Sequence, residues 1–353
     1  MTLIVAIVAD DLTGALDSAA PFAERGLRTV AALEPAALDE ALSSGAGVVA
    51  VNTLSRHLAS DAAAAIAAQV TRRCIAAGAR IVFKKIDSRM RGQVGAEAVA
   101  VARASAATTL IVAPAVPTQG RFVVEGMMKG AGIADGAGID IHASLAMAIA
   151  AGLMVQVPDS RTDADLDAIA VNYLASAADT IAVGAHGLAT ALARSLVAVN
   201  PINVTFVPDL PALVAVGSQD PATAAQIQML AEGSGLATLV EAPEGMLGSA
   251  TLGPSSPVTI LRSVAGAMEG NCAVERFAAG AAAWWRASRP RTLLVTGGDT
   301  AAALLQVLDC HVLEVGGQAA PGIPWSRLPG GAAILTKSGG FGHGAVLLEL
   351  FRQ

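Results

Sequence analysis

The stretch IVAIVADDLTGALDSA, residues 4–19, decides the fold class of this chain. It joins a short apolar run, typical of a buried strand, directly to a helical pattern, and two aspartates stand at the junction. An Asp before a helix accepts the free N–H groups of the first turn, so Asp10 and Asp11 are candidate helix caps. They are equally candidates for a ligand site, because ligands of open α/β sheets bind at the carboxyl ends of the strands. The stretch itself leaves both interpretations open.

The same alternation of strand and helix continues along the chain. Strands are predicted at 29–33, 47–53, 80–86 and 108–115, and helices at 13–25 and 60–77. Strands that alternate with helices of this length predict βαβ units and a mostly parallel sheet.

A second block of alternation follows residue 211. The segment 199–211 holds three prolines, which favours a linker. Beyond it, strands are predicted at 212–218, 237–242, 258–263 and 292–298, with helices at 221–233, 272–288 and 299–308. We therefore predict two α/β domains with mostly parallel sheets, 1–207 and 208–353.

The composition limits the classes of function. Of 353 residues 54% are hydrophobic and 15% charged, which indicates a large core and little disorder. The net charge of −6, without any block of Lys or Arg, argues against a nucleic-acid surface. The most apolar stretch, 141–158, carries His, Ser and Gln and is a weak candidate for a membrane span.

Cysteine use and the first residues indicate where the protein works. Cys74, Cys272 and Cys310 are widely spaced and odd in number, which is typical of a reducing compartment. Asp10 interrupts the first apolar run, and the start lacks the pattern of a signal peptide. We expect a cytoplasmic protein with no membrane partner.

Charged residues gather after the predicted strand at 80–86. In FKKIDSRMRGQVGAE (83–97), the polar candidates are Lys85, Asp87, Ser88 and Arg91. An Arg offers a planar fork, and a Lys a compact charge, to a carboxylate or phosphate. A further cation, Arg121, follows the strand in VAPAVPTQGRFVVEG (112–126). This pattern predicts a site for a small anion.

Three glycine-bearing turns follow strands in the second half. They are VAVGSQDPATAAQ (214–226), VTGGDTAAALL (295–305) and LTKSGGFGHG (335–344). Glycine beside Ser, Thr or Asp lets backbone N–H groups approach a phosphate, and a helix N-terminus adds its dipole. The pattern predicts a nucleotide site at these three turns.

Other recognised sites are absent from the sequence. It contains neither a G-x-x-x-x-G-K-[ST] phosphate loop nor a G-x-G-x-x-G after the first strand. The five histidines show no metal-ligand spacing, so no metal site built from protein ligands is predicted.

As a set, these motifs resemble the four-carbon acid sugar kinase family, long catalogued as a domain of unknown function. The resemblance rests on ADDLTGALD, KKIDSRMRG, PAVPTQGR and VEG in the first half. In the second half it rests on GSQDPATAAQ, GGDTA, PGIP and TKSGGFG. It implies an ATP-dependent kinase that phosphorylates the terminal hydroxyl of threonate, erythronate, 3-oxo-tetronate or a related acid, with Mg²⁺ bridging the phosphates.

The resemblance also implies a division of labour. The N-terminal domain would hold the sugar acid and the C-terminal domain ATP, with the active site in the cleft between them. The resemblance places the nucleotide site at Ser218, Gly297, Gly298, Asp299, Thr300, Gly339, Gly340 and Gly342. Asp11 or Asp10 would act as the base, with Asp87 as a third candidate. Arg91, helped by Lys85, would bind the acid group, and Ser88 and Arg121 would complete the acceptor site.

Two departures from the family bear on the substrate. The chain is shorter than expected after Gly126, and Arg89 stands where a small residue such as Thr is expected.

Two other functions remain as alternatives: a non-catalytic sugar-acid-binding protein and a nicotinamide-dependent oxidoreductase. The Ala-rich face of 141–157 suggests a possible homodimer contact.

Overall fold

The computed structural model describes residues 2–133, 138–197, 206–233, 235–247, 256–264 and 270–352. The chain divides into two compact units, Met1–Ile202 and Asn203–Gln353. The division falls inside the predicted linker, of which residues 199–205 lie outside the described residues. The domain boundary at residue 207 stays a prediction.

The N-terminal unit is built on a parallel sheet. Its strands are Val5–Ala9 (β1), Thr29–Ala32 (β2), Val48–Asn52 (β3), Ile81–Lys85 (β4), Thr109–Ala113 (β5), Met154–Gln156 (β9) and Thr180–Gly184 (β10). They run in the order β2-β3-β1-β4-β10-β5-β9, and each neighbouring pair is parallel. A separate antiparallel sheet joins Arg121–Val124 (β6), Met127–Gly130 (β7) and Ile139–Asp140 (β8).

Helices accompany the strands of this sheet. They are Leu12–Ala23 (α1), Leu38–Ser43 (α2), Ser60–Ala76 (α3), Val94–Ala104 (α4), Ile141–Ser144 (α5), Ala146–Ala150 (α6), Asp163–Ala175 (α7) and His186–Leu196 (α8). Short 3₁₀ turns occupy Pro35–Ala37 and Pro117–Gln119. Every residue of β1, β3 and β4 is buried, as expected of parallel strands covered on both faces.

The C-terminal unit repeats the plan with a different edge. The strands Ala212–Val216 (β11), Ala237–Pro243 (β12), Val258–Val264 (β13), Thr292–Thr296 (β14) and Ala333–Lys337 (β17) pair in parallel in the order β12-β13-β11-β14-β17. Antiparallel strands Val312–Ala320 (β15) and Ile323–Arg327 (β16) continue the sheet beyond β17. The helices are Pro221–Gly233 (α9), Gly270–Ser288 (α10), Gly298–Val307 (α11) and Val346–Arg352 (α12).

The α/β class predicted from the sequence is confirmed. The predicted strands and helices match the observed ones to within about two residues at each end, because strong apolar runs and helical patterns mark them. Helix α4, which contains Gly95, is not among the predicted helices. Segment 141–158 forms α5, α6 and β9, and among the described helices none is long and apolar enough to cross a membrane.

Candidate functional site

Asp10 follows β1 and is paired with an arginine that the sequence analysis did not select. Arg56 donates from Nε to Asp10 Oδ2 and from Nη2 to Asp10 Oδ1, each at 2.8 Å. Burial opposes ionisation of this carboxyl, yet the charge of Arg56 outweighs burial and lowers the pKa of Asp10 below its ordinary value. Asp10 is therefore an ionised partner of Arg56.

Asp11 bears on both interpretations of residues 4–19, because it caps a helix and also contacts charged side chains. It is the N-cap of α1, where its Oδ1 accepts the Gly14 N–H at 3.0 Å. Its Oδ2 accepts from Thr13 Oγ1 at 2.7 Å and from Arg56 Nη1 at 2.8 Å. One carboxylate thus begins the helix and belongs to the charged cluster.

The segment after β3 places Arg56. Backbone N–H groups of Ser55 and Arg56 donate to the Asp10 carbonyl at 3.1 and 3.3 Å, and Thr53 Oγ1 donates to the Ala9 carbonyl at 2.9 Å. The segment therefore wraps the end of β1. A signal for it existed in the sequence, since polar residues follow β3 just as they follow β1 and β4.

The two lysines of β4 contact different helices. The fully buried Lys84 pairs with Glu97 of α4, with 3.1 Å between Nζ and Oε2, and Ser55 donates to the other Glu97 oxygen. Lys85 lies beside α1, because a Cβ on Gly14 would stand 2.8 Å from Lys85 Nζ. Lys85 is thus the lysine of this pair that adjoins the Asp11 cap.

Asp87 is the centre of the next cluster. Arg91 donates to its two oxygens at 2.7 and 2.8 Å, and the Arg89 and Arg91 N–H groups donate to Oδ2 at 3.2 and 3.3 Å. Burial opposes ionisation, but the side-chain hydrogen bonds and the charge of Arg91 lower the pKa of Asp87 well below its ordinary value. The charges of Arg56 and Lys85 act on Asp87 in the same direction.

Arg121 joins the third polar loop to this cluster. Its Nη1 donates to Ser88 Oγ at 2.9 Å and to Gln119 Oε1 at 3.0 Å. A Cβ on Gly132 would lie 3.6 Å from nitrogens of both Arg121 and Arg89. The structure thus gathers the residues predicted in this half into one linked group: Asp10, Asp11, Lys85, Asp87, Ser88, Arg91 and Arg121.

The predicted glycine turns of the C-terminal unit also meet. A Cβ on Gly217 would stand 2.7 Å from Thr300 Cβ, and one on Gly297 would stand 3.3 Å from the Ser218 nitrogen. A Cβ on Gly339 would stand 2.8 Å from Asp220 Cβ. Real Cβ atoms do not make approaches as short as those at Gly217 and Gly339, so the turns after β11, β14 and β17 form one backbone-rich surface.

Helix N-termini and acidic residues adjoin this surface. Helix α9 begins directly after the first turn and α11 begins at Gly298, which gives the surface two N-terminal dipoles. Asp299 is exposed in the first turn of α11, and Asp220 Oδ1 accepts the Ala222 N–H at 2.9 Å. Within the described residues, no group of three or more His, Cys, Asp and Glu side chains is placed to hold a metal ion.

Two histidines, His186 and His343, have carboxylate neighbours. His186 Nδ1 lies 3.1 Å from Asp17 Oδ1; burial works against protonation, but Asp17 raises the pKa of His186 above its ordinary value. His343, in the exposed turn after β17, lies 3.4 Å from Glu349.

Comparison with known protein families matches both halves of the chain. Residues 5–135 match the model of a sugar-binding N-terminal domain, and residues 213–347 match that of a nucleotide-binding C-terminal domain. These two descriptions agree with the clusters found at the strand ends of the two units.

Individual proteins resemble the chain over nearly its whole length. A D-threonate kinase of Bordetella bronchiseptica is 30% identical over 98% of this chain and 96% of its own length. A 3-oxo-tetronate kinase of Burkholderia multivorans is 28% identical over 96% of this chain and 94% of its own. A solved Haemophilus influenzae structure of the DUF1537 family has a TM-score of 0.72 at 18% identity, covering 98% of this chain and 99% of that one. That last likeness concerns the fold.

Proposed function

The chain belongs to the four-carbon acid sugar kinase family and is a sugar-acid kinase, and we propose that it transfers the γ-phosphoryl group of ATP to the terminal hydroxyl of a four-carbon sugar acid. Threonate, erythronate and 3-oxo-tetronate are the first acids to test, since relatives are named for two of these substrates. The product would be the 4-phosphate.

The observation that carries the proposal is the linked group of carboxylates and cations at the ends of β1, β3 and β4. A sugar acid requires a cation for its carboxylate and an oxygen acceptor for its reacting hydroxyl, and this group offers both. The Arg91 side chain is 51% exposed, and within the described residues its Nη1 makes no hydrogen bond. Arg91 can therefore bind the acid's carboxylate while it stays paired with Asp87, with Lys85, Ser88 and Arg121 nearby.

Asp11 is the carboxylate we propose as the base. Its side chain is 16% exposed, whereas that of Asp10 is 3% exposed and is held by two bonds from Arg56. Asp87 is likewise held by two bonds from Arg91. Asp11 receives a single bond from a guanidinium and can orient the hydroxyl and accept its proton.

The glycine surface of the C-terminal unit is the proposed ATP site. Phosphoryl transfer depends on positioning and on neutralising charge, and outward N–H groups and helix N-termini supply both without side-chain charge. Magnesium would reduce the charge repulsion that opposes attack on the phosphate. Because Mg²⁺ is held mostly by phosphates and water with one or two carboxylates, Asp220 and Asp299 fit as its protein ligands.

The decisive experiment measures ADP release with ATP and Mg²⁺ across a panel of C4 and C5 sugar acids. We expect acid-dependent ADP release from the wild type and a loss of about a hundredfold or more in kcat for Asp11→Asn. Asn still caps a helix, so the variant removes the charge and the proton acceptor while the cap remains.

Asp140→Asn is the matched control. Asp140 caps α5 by accepting the Ala143 N–H at 3.0 Å, and Asp11 likewise accepts the N–H of the residue three positions ahead. It should retain wild-type turnover. Absence of acid-dependent ADP release across the panel would contradict the proposed substrate class, and full activity of Asp11→Asn would contradict the role of Asp11.

A further inference from the structure

The turn after β17 is held from beneath by side chains that lie within the quoted motifs but are not among the predicted site residues. Lys337, fully buried at the end of β17, donates from Nζ to the carbonyls of Ser338 at 3.1 Å and Gly339 at 2.8 Å, and to Thr223 Oγ1 at 3.1 Å. Thr223 donates in turn to the Gly339 carbonyl at 2.8 Å.

Gln226, one turn further along α9, holds the second half of the same turn. Its Nε2 lies 3.0 Å from the carbonyl oxygens of Phe341 and Gly342 and 3.1 Å from that of His343. Gln226 is 1% exposed. Together, Lys337 and Gln226 draw five carbonyl groups of residues 338–343 inward.

The geometry of the peptide bond sets the direction of the amides in this turn. In a trans peptide the C=O and the N–H of the next residue point in opposite directions. Inward carbonyls therefore turn outward the N–H groups of Gly339, Gly340, Gly342, His343 and Gly344. Within the described part of the chain, these five N–H groups donate to no acceptor. Consecutive outward N–H groups form a concave site for an anion.

We propose that Lys337 and Gln226 are positioning residues for the nucleotide: by holding the carbonyls of residues 338–343 they aim the N–H groups of the turn at its phosphates. This inference rests on the proposed function only in taking ATP as the ligand. The lysine acts through the backbone and does not itself touch the phosphates, unlike the lysine of a phosphate loop.

The test compares ligands with and without phosphates. Affinities of wild type and variants for ATP, tripolyphosphate and adenosine are measured by calorimetry. We expect Lys337→Met and Gln226→Met each to lose about tenfold or more in affinity for ATP and tripolyphosphate, because hydrogen bonds to a charged ligand depend on alignment. Adenosine affinity should change less than about twofold, since it has no phosphate to align.

Two further variants separate positioning from stability. Lys337→Arg keeps the charge and the donors, and it should restore most of the tripolyphosphate affinity. Lys84→Met removes the other fully buried lysine at a strand end, in the N-terminal unit. It should leave the affinities for ATP and tripolyphosphate unchanged. Folding of the C-terminal unit is followed by fluorescence, because Trp284, Trp285 and Trp325 all lie in it.

The outcomes distinguish a failed function from a failed positioning role. A wild type that binds neither ATP nor tripolyphosphate contradicts the proposed function. A wild type that binds both, with equal affinity in Lys337→Met and Gln226→Met, overturns the positioning role and leaves the function standing. Equal losses for adenosine and tripolyphosphate overturn it as well. If Lys337→Met does not fold, the Gln226→Met variant alone decides, by its loss of tripolyphosphate affinity compared with its loss of adenosine affinity.

Discussion

The two units present different chemical groups at the carboxyl ends of their strands: charged side chains in one and backbone groups in the other. At the strand ends of the N-terminal unit, charged side chains face one another, as in the Arg56–Asp10 and Arg91–Asp87 pairs. At the strand ends of the C-terminal unit, glycines bring backbone groups together, and the buried Lys337 bonds to carbonyls and a hydroxyl. The difference suits the proposed ligands: a sugar acid offers one charge and several hydroxyls, whereas a triphosphate offers many oxygens to N–H groups.

Removal of Arg56 from the charged cluster of the N-terminal unit should have the largest effect on stability. Arg56→Met leaves Asp10 buried without its counter-charge, which should lower the free energy of unfolding of the N-terminal unit by about 3–5 kcal/mol. Urea unfolding followed by far-ultraviolet circular dichroism should show the loss. The tryptophan transition should stay in place, since the tryptophans lie in the other unit.

Arg91→Met serves as the comparison for that variant. The Arg91 side chain is half exposed, and water screens its attraction to Asp87, so the variant should lose no more than about 1 kcal/mol. Equal losses for the two variants would contradict the view that burial sets the strength of this cluster.

The stability of the two units should depend on pH through different groups: a buried lysine in the C-terminal unit and buried aspartates in the N-terminal unit. Burial lowers the pKa of Lys337 to about 8 against the neighbouring charge of Asp220. Between about pH 8 and 10.5 the unfolded chain therefore binds more protons, and stability of the C-terminal unit rises with pH, by at most about 3 kcal/mol. Urea midpoints from tryptophan fluorescence should rise in this window for the wild type and not for Lys337→Met.

In the N-terminal unit, stability is expected to fall as the solution becomes acidic. Asp10 and Asp87 have a lowered pKa when folded, so their contribution is complete above the unfolded value of 3.8 and is lost as the pH falls below it. An Asp87→Asn variant should lose less stability than the wild type between pH 5 and 3. A parallel fall of the two proteins would contradict this assignment.

A smaller effect than that of Arg56→Met should come from the glycine surface. Gly217→Ala places a Cβ 2.7 Å from Thr300 Cβ, which rotation of the side chain cannot relieve, and should cost about 1–3 kcal/mol in the C-terminal unit together with weaker ATP binding. Gly330→Ala is the control, because Gly330 has a φ of +96° and nothing within 4 Å of the added Cβ. Backbone strain alone should then lower stability and leave ATP affinity unchanged.

Sequence patterns predicted the α/β fold because apolar strands and regular helices are local features. They also pointed to Asp11 and Gly297, which stand beside such elements and stay predicted site residues. They missed Arg56 because its partner Asp10 lies 46 residues away, and pairing across a sheet is not a local property. Gln226 ends the quoted motif GSQDPATAAQ, but it was not among the predicted site residues, because the role of a polar residue inside a helix is not evident until the turn that it supports is known.

The inward carbonyls after β17 have a consequence for measurements of dynamics. Amide hydrogens exchange with deuterium when they meet solvent without an acceptor, and the N–H groups of Gly339, Gly340 and Gly342 meet that condition in a turn that Lys337 and Gln226 hold in place. Rapid exchange there would report the direction of the amides and not mobility of the chain. Slowing of that exchange by a bound triphosphate would then trace the ligand's outline, one amide at a time.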